Sequence, residues 1–167
     1  MIYQRHIPPQ ELIEAQLEML LQNGRRATIS MHLVGLIAAV VTFWPFFSLT
    51  RLLLWAAAFL ILLLTRSVQM SNALAERRYQ THPKRVYWQL LIGAALTGSV
   101  WSGVYILAAQ HVPVTLQYVL LLLIVMIAAF LLGFTAMVRE YFIVYLFASV
   151  WPVAWWNLVH YWEQPYN

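Results

Sequence analysis

Five apolar runs, each about the length that crosses a bilayer and each set off only by a short polar turn, leave this chain one class of fold. A hydrocarbon core about 30 Å thick is spanned by roughly 20 helical residues. Inside lipid every backbone amide must be paired within the protein, so open sheets and irregular loops are excluded. The runs at 28–46, 52–70, 88–108, 116–137 and 141–160 predict an all-α, polytopic transmembrane bundle. Composition agrees: only 10% of the residues are charged, against about 25% in soluble domains. No tandem repeat is visible, and no loop is long enough to fold as a separate domain.

The spans occupy residues 28–167, and a polar segment, residues 1–27, precedes them. Pro8 and Pro9 open a helix over Gln10–Gln22, and Asn23-Gly24 is a stop signal. Glu11, Glu14 and Glu18 share one side of it, and Ile13, Leu17, Leu20 and Leu21 another. An acidic face disfavours adhesion to anionic lipid. The expected role of this amphipathic helix is docking on the protein's own cytoplasmic surface or on a second copy. It is no cleavable signal peptide, lacking the short basic start and small-residue cleavage site.

Charge distribution sets the orientation. Arg5, Arg25, Arg26, Arg77, Arg78, Lys84, Arg85 and Arg139 fall on one side of the spans, and only Arg51 on the other. The positive-inside rule places the N-terminus in the cytoplasm. The net charge of +4 thus reflects topology, and nucleic acid is not an expected partner. Five spans put the C-terminus outside, where Trp155, Trp156, Tyr161, Trp162 and Tyr166 make an aromatic belt. An output domain in a longer protein would need a sixth span to return.

Little in the chain can do chemistry. Cys and Asp are absent, removing thiolate sites and leaving six carboxylates. There is no phosphate-cradling loop, no nucleophilic triad and no carboxylate pair, so an enzyme is not expected. The same inventory implies no cofactor. His111, His160 and Glu163 could offer an N/O site to Zn or Cu, but interfacial His and Glu commonly only face water, and no metal is expected. His32 and His160 lie at opposite depths, against a bis-His heme. His82 precedes Pro83 in a basic turn and reads as a solvated loop residue. Arg66 lies near the inner end of the second span, where it can snorkel.

Helix packing in lipid relies on small residues spaced four apart. The third span carries two such tracks, Ala94/Gly98/Ser102 and Ala95/Ser99/Gly103. Gly35/Ala39 and Ala129/Gly133 repeat the spacing in the first and fourth spans. Intramolecular packing is the main reading and a homodimer seam on the third span the other. Pro152 interrupts the fifth span, and Trp101, Trp151 and Trp155 beside it are candidates for a pocket holding a small apolar signal molecule.

The order of these features resembles the N-terminal membrane region of bacterial sensor histidine kinases and GGDEF-type diguanylate cyclases. The resemblance is carried by the helix Glu14–Arg25, the basic turn Glu76-Arg77-Arg78, the cadence Gly93, Gly98, Trp101, Gly103, and the late Pro152. The chain departs from that pattern in having Trp101-Ser102 for Trp-Gly, and it holds no kinase or cyclase motif. The resemblance implies an input module of a two-component or related signal-transduction protein, converting a stimulus into helix movement. A small membrane protein that binds and regulates a membrane partner is the alternative, and a transporter or channel subunit a third reading. Mid-span carboxylates and paired broken helices, which coupled ion transport would use, are missing.

Overall fold

The computed structural model describes residues 9–135 and 138–162, and among them every regular element is helical. The helices are α1 (Pro9–Phe43), α2 (Leu49–Ala75), the single turn α3 (Arg78–Thr81), α4 (Pro83–Ala109), α5 (Val114–Thr135) and α6 (Arg139–Trp162). Five are long and apolar enough to cross a membrane. α2, α4 and α6 contain the runs at 52–70, 88–108 and 141–160, whereas the first run passes the end of α1 at Phe43 and the fourth matches α5 over 116–135.

The stop expected at Asn23-Gly24 does not occur. α1 continues as one helix of 35 residues, about 50 Å long at 1.5 Å per residue. Glycine inside a helix costs about 1 kcal/mol, and packing outweighs it. Leu17, Leu20 and Leu21 are buried, and burying one such side chain contributes about 1.5–3 kcal/mol. A Cβ added at Gly24 would lie 3.5 Å from Met70 Cε of α2, so the two helices run close there. The first turns of α1 are thus a continuation of the first apolar helix, with Leu12 and Ile13 exposed.

Short connections hold neighbours together. The Ser48 hydroxyl caps α2 by accepting from the Arg51 amide. Pro83 occupies the first turn of α4, where a missing N–H costs nothing. Arg77, at φ 49° in the left-handed region, turns the chain between α2 and α3. The Gln117 side chain donates to the carbonyls of Ala109 and Val112, fastening α5 to the turn before it.

The long helices close a ring in the order α2, α1, α5, α6, α4, with α4 also packing across it on α1 and α5. The most extensive seam joins α4 to α6. Outward faces are apolar: Val34, Val41, Leu54, Ile61, Leu122 and Phe147 are exposed. Thr28, His32, Arg66, Thr97, Ser102 and Ser149 are buried. That inside-out distribution is what a hydrocarbon solvent selects.

Candidate functional site

Two polar groups, one stacked on the other along the bundle, fill the space between α1, α2, α4 and α6. The first is built on Arg66. This side chain does not snorkel: it is only 6% exposed and turns inward. Its Nη1 donates to the Thr97 hydroxyl of α4, and its Nη2 donates to the Tyr141 hydroxyl of α6 at 2.8 Å. Thr97 passes the interaction on, donating to the Gly93 carbonyl at 2.7 Å. Gly93 makes the slot, since a Cβ there would stand 2.6 Å from Arg66 Nε. Among the described residues α2 and α6 are not neighbours, and this guanidinium links them directly. Among the described residues the only ion pair is Arg78–Glu76, so Arg66 has no carboxylate. A small cavity of about 10 Å³ adjoins it, lined by Gln69 and Gln89 among others. That is room for about one water molecule.

The second group surrounds His32, which is fully buried. Its ring contacts Phe59 of α2 at 5.9 Å, Trp101 of α4 at 6.3 Å and Tyr145 of α6 at 5.8 Å between centroids. Trp55 joins through Phe59 and Trp101. His32 Nδ1 lies 2.6 Å from the Thr28 carbonyl. A carbonyl only accepts, so Nδ1 carries the hydrogen and the neutral ring leaves its lone pair on Nε2. That Nε2 has no protein partner, and neither do Thr28 Oγ1, Trp55 Nε1, Trp101 Nε1 or the Tyr145 hydroxyl. Each unmade buried bond costs about 1–3 kcal/mol, so five gathered in one core is a large departure from ordinary satisfaction.

The small-residue expectations divide. Gly98 is a true contact: a Cβ would meet the Tyr145 carbonyl oxygen at 2.8 Å and Ala148 Cβ at 2.9 Å. Gly35 is another, its added Cβ falling 2.7 Å from Ile127 Cδ1 and 3.1 Å from Trp101 Cη2. Ala94 and Ser102 are buried on the same track as Gly98. Gly103 and Gly133 are not contacts, having nothing within 4 Å of an added Cβ. The other track of α4 is open at Ser99.

The expected pocket beside Pro152 is not assembled. Trp101 is fully buried in the bundle, whereas Trp151 and Trp155 are 56% and 59% exposed. They sit on the outward face of α6, with Trp151 stacked on Phe147 at 5.5 Å. A helix places residues four apart on one face, which sends Trp151 and Trp155 outward while Ser149 and Val153 face the core. α6 runs through Pro152 without a break. His111 and His160 each donate to the carbonyl four residues earlier, and His160 stacks on Trp156 at 3.6 Å. Glu163 lies outside the described residues, and among those described no group of His, Cys, Asp or Glu could hold a metal.

Sequence reading missed Tyr141, Tyr145, Trp55 and Thr97 and set His32 and Arg66 aside. The available signal was polarity itself. A polar side chain inside an otherwise apolar run marks the inward face, because lipid cannot pair it. No protein-family model, curated protein or solved structure matches the chain. The resemblance to sensory membrane regions therefore rests on the residues quoted for it.

Proposed function

We propose that this chain is the membrane input module of a bacterial signal-transduction protein, N-terminus cytoplasmic, working as a homodimer in the inner membrane. The observation that carries the reading is the unpaired polar core around His32. Five buried hydrogen-bonding groups without a protein partner favour any alternative packing in which a small guest, a water or a shifted helix meets them. A stimulus that favours one packing shifts the population by its differential interaction with the two. Four helices contribute to the two polar groups, so any such shift moves α4 and α6 against α1 and α2. Basic residues clustered at the end carrying the α2–α4 turn support the orientation, and Arg25 is bonded there to Ser71 of α2 at 2.8 Å. The open Ser99/Gly103 track supports a second copy.

The natural absence of Cys allows clean spin labelling. Nitroxides at exposed Val34 of α1 and Phe147 of α6 report the separation of the two halves in nanodiscs of short and long acyl chains. The expected result is a change of about 1–2 Å or more in their separation, lost in Tyr145→Phe. Identical distances in every bilayer would sink the sensory reading and leave a static scaffold.

A further inference from the structure

At the basic end, the first turns of α1, the α3–α4 turn and the start of α6 enclose an open groove of about 1250 Å³. Its cations are Lys84 and Arg85, both exposed and in no ion pair among the described residues. Its apolar wall includes Ile13 and Trp88, 48% and 62% exposed. The residues of α1 that line it are uncharged: Gln10, Ile13, Gln16 and Leu17. Of the acidic residues of α1, Glu18 is engaged with Tyr79 of α3 and Glu14 accepts from the Gln10 side chain at 3.2 Å. Burial and then the nearby Glu18 carboxylate, with Glu14 adding to it, raise the pKa of the Tyr79 phenol on α3. None of the α1 carboxylates lines the groove itself, and Glu14 is held by Gln10, which does.

The groove lies where two apolar helices begin, at Pro83 and Arg139, the level at which headgroups meet hydrocarbon. Two free cations beside exposed aromatic and aliphatic surface match a phosphodiester that carries acyl chains. One carboxylate, Glu140, also lines the groove. It disfavours a doubly charged headgroup and can accept a hydrogen bond from a headgroup hydroxyl. We propose that this groove binds an anionic phospholipid with a hydroxyl-bearing headgroup, of the phosphatidylglycerol kind, its phosphate on Lys84 and Arg85 and its chains along Ile13 and Trp88. The inference is independent of the sensory reading.

The test is the pool of motionally restricted, spin-labelled lipid around the full chain in phosphatidylcholine bilayers. Labelled phosphatidylglycerol is expected to be held several-fold more than labelled phosphatidylcholine, and to remain so at high salt, where diffuse surface attraction is screened. Lys84→Gln with Arg85→Gln should reduce it to the phosphatidylcholine level. Arg26→Gln with Arg77→Gln, which removes two exposed charges at the same end but outside the groove, should leave it high. An unchanged phosphatidylcholine pool verifies that the variants remain inserted. Equal loss in both double variants, no preference in the parent chain, a preference surviving Lys84→Gln with Arg85→Gln, or displacement by inorganic phosphate would each overturn the proposal.

Discussion

α4 carries two small-residue tracks rotated by one residue, about 100° around the helix, and they meet opposite fates. Ala94, Gly98 and Ser102 are buried, and Gly98 stands against the backbone of α6. Along the other track Ser99 is exposed and Gly103 faces empty space. The residue types are nearly interchangeable between them. What separates them is the neighbour: a helix backbone on one side and none on the other. A small-residue spacing therefore states that close approach is permitted, and the partner decides where it happens.

The sharpest way to break this contrast is Gly98→Ala. The added Cβ would press on the Tyr145 carbonyl oxygen, Ala148 Cβ and the Ser149 amide nitrogen. Two of these are backbone atoms and cannot rotate away, so α6 must move. Overpacking of this kind costs about 1–3 kcal/mol, and the upper half of that range is expected in equilibrium unfolding of the detergent-solubilised chain. A stability equal to the parent's would show that the seam between α4 and α6 is looser than described.

Gly93→Ala should have a smaller effect with a different signature. Its Cβ would meet Arg66 Nε at 2.6 Å, and a side chain can shift where a backbone cannot. The guanidinium would then lose its geometry toward Thr97 or Tyr141, at about 1–2 kcal/mol for a strained charge-assisted bond. Because the cost runs through Arg66, it should disappear in the background of Arg66→Met, where no guanidinium is left to displace. Replacing the buried cation with an apolar chain of similar length leaves the Tyr141 hydroxyl without its donor, at about 1–3 kcal/mol, so the glycine effect is read against that background. A Gly93→Ala cost that persists in that background would mean Gly93 serves α4 itself.

The long helices were legible because run length alone decides whether a helix can cross, and each of the five runs overlaps one of them over most of its length. Rotation was not legible. In water the polar face of a helix points out, so periodicity reveals the core. Here both lipid-facing and core-facing residues are apolar: α5 is the most apolar of the five, yet only 28% of its apolar window is buried. That is why Trp151 and Trp155 read as pocket residues when they face outward, and why Gly133 read as a contact. Asn23-Gly24 misled for another reason. A local stop signal is worth about 1 kcal/mol, less than what the buried leucines before it contribute. The polar core was half legible, since His32, Arg66 and Trp101 stand out in their runs, but Tyr141 and Tyr145 are ordinary residues in an apolar helix until α1, α2 and α4 are packed against them.

The smallest effect is the most diagnostic because its sign reverses. Gly103→Ala adds a Cβ into open space, so the only local consequence is conformational. Alanine restricts the unfolded chain and favours helix by about 0.5–1 kcal/mol over glycine, and the protomer should become more stable by up to that amount. The gain should be read at high detergent dilution, where copies are separated. If the open track is the seam between two copies, the same substitution should weaken association at higher concentration, measured by energy transfer between labelled protomers. A stabilised protomer with unchanged association would leave the open track simply facing lipid, and a destabilised protomer would mean that the two tracks of α4 are not different after all.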